Sequence, residues 1–98
     1  MAHGRCEFFE FAADWADLKH VDYSFYRNEY DIWNCRLTFS DTIGPLSVEV
    51  EAMGRPKGYS AERFRDKVYD MMTEAARKAR LRMLHRGAKR VAAGGHNG

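Results

Sequence analysis

Between Arg77 and Arg90 the chain reads RKARLRMLHRGAKR. Seven of these residues are Lys or Arg (Arg77, Lys78, Arg80, Arg82, Arg86, Lys89 and Arg90), and none is Asp or Glu. Cations at this density suit a polyanion. Each one that contacts a phosphate releases a condensed counterion, which gives sequence-blind and salt-dependent affinity. Two or three would be enough to complement the dipole at a helix C-terminus, so the excess is the strongest functional signal in the sequence. The same charges would also dock on an acidic protein surface, including the N-terminal half of a second copy.

Two weaker arrangements accompany it. GRPKGYS (54–60) brings Arg55 and Lys57 to a predicted helix N-terminus, where free amides and the macrodipole favour an anion. It lacks the GxxxxGK[ST] register of a phosphate loop. The acids Glu7, Glu10, Asp14 and Asp17 cluster near the N-terminus and would steer a basic protein partner. Tyr26, Tyr30, Ile32 and Met53, set among charges that include Glu49 and Glu51, have the composition of a protein-binding surface.

Catalytic chemistry finds no footing. The histidines His3, His20, His85 and His96 are scattered, and none joins a Cys, Asp or Glu at metal-ligand spacing on a clearly marked element. No nucleophile can be paired with a base. Asp14 with Asp17, and Glu49 with Glu51, are carboxylate pairs on faces expected to be wet. The expectation is a protein that is not an enzyme, with no catalytic residues, no metal and no cofactor.

The elements that must position these groups follow from periodicity. Ser60 is a good N-cap. From it, Phe64, Val68, Met71, Met72, Ala75, Ala79 and Met83 form one helical stripe, and Gly87 is the natural stop. A helix of about 26 residues, roughly 40 Å, results. It leaves the core near residue 80 and projects. Glu74 and Lys78 make a favourable i,i+4 pair on it. In WNCRLTFS and PLSVEVEA, apolar residues alternate with polar ones, which predicts two half-buried antiparallel strands joined through DTIG. DYSFY reads as a third strand with Tyr23 and Phe25 inward. Residues 6–19 fit a helix, with Phe8, Phe11, Ala12, Trp15 and Leu18 on one face, although CEFFEF also fits an edge strand.

The fold class is therefore α+β. Its layout is α-β-β-β-α, a three-stranded antiparallel sheet packed on one face by a long C-terminal helix and an N-terminal helix. The alternative is a four-stranded sheet with one helix. One domain spans 1–90, and 91–98 form a tail expected to be disordered.

Over about residues 7–84 this order resembles the layout of double-stranded RNA-binding domains. Where that family carries a Lys-rich turn, GYSAERFRDK offers Arg63, Arg65 and Lys67, interleaved with Glu62 and Asp66. RNEYD stands in place of the family's Gly-Pro-x-His, and the first helix is acidic. The resemblance implies a two-layer fold; these departures set the chain apart from the family's mode of RNA contact.

The bulk numbers agree with a small globular module. Ninety-eight residues with 45% hydrophobic content allow one core. Residues 1–52 hold four Lys/Arg against ten Asp/Glu, a net −6. Residues 53–98 hold twelve against four, a net +8. Of Cys6 and Cys35, the second falls on the apolar side of a strand and reads as a buried free thiol. MAHGRCEFFEF lacks the apolar run of a secretory signal, and no stretch is long enough to span a membrane; the expected location is cytoplasmic.

The sequence thus points to a small binding module that contacts nucleic acid or a nucleoprotein through a basic C-terminal helix. The alternative is a protein–protein effector or inhibitor of the small virus-encoded type, whose acidic N-terminal half docks on a nucleic-acid-processing complex. A homodimer is compatible with either; a membrane partner is not expected.

Overall fold

A computed structural model of the chain describes residues 3–95, with side chains from Cys6 to Ala88. Five elements follow one another: α1 (His3–Lys19), β1 (Asp22–Arg27), β2 (Trp33–Ser40), β3 (Pro45–Glu51) and α2 (Ala61–Gly95). The strands form one antiparallel sheet in the order β1-β2-β3. Residues 6–19 are helical, so the three-stranded arrangement holds and the four-stranded alternative does not.

Alternation decides which side of the sheet is dry. Cys35 pairs with Val50, Leu37 with Val48 and Phe39 with Leu46, and these residues face the helices. On the other side Arg36 packs over the Tyr26 ring at 4.3 Å and donates to Glu49. From α1, Phe8, Ala12, Trp15 and Ala16 enter the core; from α2, Phe64, Val68, Met72, Ala76 and Ala79. The α2 residues advance mostly by four, the spacing that keeps side chains on one helical face. Ala76 rather than Ala75 lies deepest, and Ala75 is only partly buried. Leu18, placed inward by its spacing, is 68% exposed.

Local chemistry explains the element ends. His20 takes a left-handed φ of 57° and closes α1. The Val21 amide donates to Ala16 O at 2.9 Å and the His20 amide to Asp17 O at 3.3 Å, the 6→1 and 5→2 bonds of a Schellman cap. Ser60 Oγ accepts from the Arg63 amide at 3.1 Å, so the N-cap expected of α2 is present.

The other end of α2 departs from expectation. Gly87 does not stop the helix, which continues to Gly95. Positive φ among the described glycines occurs only at Gly44 and Gly58, so Gly87 is not a left-handed cap. A mid-helix glycine costs about 1 kcal/mol, and the residues after it, AKRVAA, are mostly good helix formers that tolerate that cost. Of the tail expected over 91–98, residues 91–95 belong to α2, and 96–98 lie outside the described residues. At 1.5 Å per residue, the 35 residues of α2 run about 52 Å. They account for the long axis of a molecule measuring 59 × 28 × 20 Å.

β3 is an edge of the sheet. The Ala52 amide donates to Trp33 O at 2.9 Å, which makes Trp33 and Ala52 a hydrogen-bonded pair. By the alternation of an antiparallel ladder, Ser47, Glu49 and Glu51 turn their backbone N–H and C=O groups outward.

Candidate nucleic-acid interface

Among the described residues, the last fully buried residue of α2 is Ala79. The sixteen residues from 80 to 95 form an arm of about 24 Å. No acidic residue follows Glu74 anywhere in the chain. Beyond Ala79 the buried stripe gives way to the polar contact of Arg86 with the β2–β3 end of the sheet, while helix propensity continues.

The seven cations of this stretch do not act alike. Arg80 and Arg82 are exposed on the arm, and Lys78 is exposed just before it. Arg77 is engaged by Glu74: Nε donates to Oε2 at 3.1 Å and Nη2 to Oε1. That hydrogen bond holds the Glu74 carboxyl below the usual range, with a smaller contribution from Lys78. The ion pair of Glu74 is thus i,i+3 with Arg77, where spacing alone predicts Lys78.

Arg86 is turned inward. Its Nη2 donates to Asp41 Oδ1 at 2.8 Å and to Gly44 O, and its Nη1 donates to Pro45 O at 3.3 Å. Asp41 in turn accepts from the amides of Ile43 at 2.8 Å and Gly44 at 3.2 Å. Those amides, Ile43 first, together with Arg86 hold the Asp41 carboxyl below the usual carboxylate range. Arg86 therefore latches the base of the arm to the β2–β3 loop and is withdrawn from the polyanion-binding set. Its position explains why: it lies on the helical face of Ala79, toward the sheet. The side chains of Lys89 and Arg90 lie outside the described residues; both positions belong to α2.

The remaining cations are divided between faces. Lys78 and Arg82, one turn apart, line a groove beside β3 with Glu49, Glu51, Asp70 and Glu74. Arg80 points to the other side, beside Met83, Leu84, Gly87 and Ala88. The cations therefore stand on both flanks of the arm rather than along one stripe.

The anion loop is corrected at Arg55. Its guanidinium takes the carboxylate of Glu7 with two bonds, Nε to Oε1 at 3.0 Å and Nη2 to Oε2. The pairing holds the Glu7 carboxyl below its ordinary range. Arg55 is thereby committed to an internal carboxylate, and Glu7 leaves the acidic docking set. Lys57 is exposed in the loop, and Arg63 lies over the Tyr59 ring at 4.1 Å. Glu10, Asp14 and Asp17 remain exposed along α1.

No protein family profile, curated protein or solved structure matches this chain. Among the described residues no group of three or more His, Cys, Asp or Glu is placed to hold a metal ion. No described helix is long and apolar enough to cross a membrane. Cys6 and Cys35 are both free thiols, the first exposed and the second buried.

Sequence reasoning missed the two long-range latches, Arg55–Glu7 across 48 positions and Arg86–Asp41 across 45. Neither leaves a periodic signal, because each depends on how loops meet helices in space. It also missed the patch formed by Asp14, Asp17 and Leu18 with Tyr69 of α2.

Proposed function

We propose that this protein is a non-enzymatic binding module that contacts the phosphate backbone of nucleic acid, free or within a nucleoprotein, through the arm of α2. One observation carries the reading: α2 continues for sixteen residues beyond Ala79, its last fully buried side chain among the described residues, without an acid, displaying Arg80 and Arg82. A helix that only completed the core would end near Ala79. Lys89 and Arg90 extend the cationic run farther along the same helix.

The test is a fluorescence anisotropy titration with duplex and single-stranded oligonucleotides. Wild type should bind with a dissociation constant of about 10⁻⁴–10⁻⁶ M, the range of sequence-blind contact, and weaken steeply as salt rises. Replacing Arg80, Arg82, Lys89 and Arg90 by Gln should lower the log–log salt slope on duplex by about 0.9 for each phosphate that is no longer neutralised. Arg86→Gln should leave the slope unchanged, since that side chain serves the β2–β3 loop. Absence of binding at low salt, or equal binding by the fourfold variant, overturns the reading.

A further inference from the structure

Along α2, Tyr69, Thr73, Ala76, Arg80, Met83 and Gly87 succeed one another at steps of four and three, the spacing of a single stripe that faces a neighbouring helix. α1 covers the middle of it. Trp15 Nε1 donates to Thr73 Oγ1 at 3.2 Å, and Ala76 is buried. Both ends of the stripe are only partly covered. At one end, Asp14, Asp17 and Leu18 of α1 border a shallow depression with Tyr69, and Leu18 is 68% exposed. At the other, Arg80, Met83, Leu84, Gly87 and Ala88 border a mainly apolar depression, and Leu84 is 70% exposed. Asp41 also borders this second end, but its charge is matched by Arg86.

The two ends are opposite in charge, and each carries one exposed leucine, Leu18 at the acidic end and Leu84 at the basic end. The fifteen residue steps from Tyr69 to Leu84 separate them by about 22 Å along α2. A two-fold rotation perpendicular to α2 exchanges them. In an antiparallel pair of chains, the Asp14–Asp17–Leu18 end of each copy meets the Arg80–Leu84 end of the other, twice over. This is the self-complementarity that an isologous interface requires. Gly87 helps, because it has no side chain and a Cβ there would meet nothing within 4 Å, leaving room for close approach. Pairing like ends would set Asp14 and Asp17 against their counterparts, so charge also fixes the orientation.

We infer that this stripe is the interface of an antiparallel homodimer, in which the α2 arm of each copy lies against the acidic outer face of the partner's α1. The inference stands apart from phosphate contact by the arm, although Arg80 serves both surfaces, so that polyanion and second copy compete for it.

Nuclease-treated, nucleic-acid-free full chain is followed by sedimentation at low salt over a wide concentration range. The expected mass rises from 11.4 kDa to twice that value, and the midpoint moves to higher concentration as salt is added. Asp14→Lys with Asp17→Lys in one variant, and Arg80→Glu in another, should each weaken self-association by about tenfold or more. Mixing the two variants should restore it, because the reversed acids of one then face the reversed Arg80 of the other while the native pair remains on the second contact. Circular-dichroism melts confirm that the variants fold; if a reversal does not fold, Leu18→Ser and Leu84→Ser take its place and should likewise abolish the dimer. A mass of 11.4 kDa throughout, a dimer indifferent to these changes, or a mixture no tighter than its components overturns the inference.

Discussion

Replacing Gly87 by Ala tests the helical arm through the sign of its effect. A glycine that ends a helix holds a positive φ, and Ala in its place is strained and destabilising. Gly87 instead sits inside α2 without a positive φ, and a Cβ built on it meets nothing within 4 Å. Within a single chain, at concentrations too low for self-association, the substitution then adds helix propensity at no steric cost, about 0.8–1 kcal/mol in favour of the helical state. Because Gly87 lies eight residues beyond Ala79, the gain is local. The melting temperature of the core should barely move, while the opening equilibrium of the surrounding turns should fall about fivefold, the factor that 1 kcal/mol represents. Amide hydrogen exchange reads this directly, as slower exchange of the amides between 85 and 91 and a small increase in helical ellipticity. Faster exchange in that stretch, or reduced ellipticity, would refute the continuous helix and restore Gly87 as a terminus.

Other substitutions probe the core, the loop latch and the thiols. Phe64 is fully buried, with its ring 5.9 Å from that of Phe11, so Phe64→Ala should cost about 3–5 kcal/mol and lower the melting temperature by more than about 12 °C; a smaller loss would mean the core is not centred there. The carboxyl of Asp41 is held below its ordinary range in the fold, so its contribution is present above the unfolded value of about 3.9 and is lost as pH falls through the lower folded value. The stability advantage of wild type over Asp41→Asn should therefore be full near neutrality and shrink from about pH 4 downward, as followed by thermal melts. Burial pushes the Cys35 thiol up to about 12, whereas Cys6 is exposed. A thiol reagent at mildly alkaline pH should titrate one cysteine quickly in native protein and two after denaturation.

What the sequence disclosed tracks the range of the interactions concerned. The strands were legible because each side chain's face follows from its parity: Cys35, Leu37, Val48 and Val50 are buried as the alternation requires. The start of α2 was legible from Ser60, whose cap bridges three residues. α1 was less so, because Phe8, Phe9 and Phe11 crowd its first half and also fit an edge strand; Phe9 in fact packs sideways on Phe25 and Trp33. For the candidate site, the cationic run and its projection past residue 80 were visible. The division of labour within it was not, since the inward turn of Arg86 depends on where the β2–β3 loop comes to rest.

The outward-turned backbone of β3 has a consequence for how the protein behaves in bulk. Ser47, Glu49 and Glu51 offer amides and carbonyls on which any extended chain could grow, and growth of that kind nucleates aggregates. The edge begins at Pro45, which has no amide hydrogen to offer. Two copies meeting there would bring Glu51 of each toward the other, while Glu49 is already paired with Arg36. Colloidal resistance along this edge is thus electrostatic in origin. It is strongest in dilute salt and fades in brine, where the charges are screened.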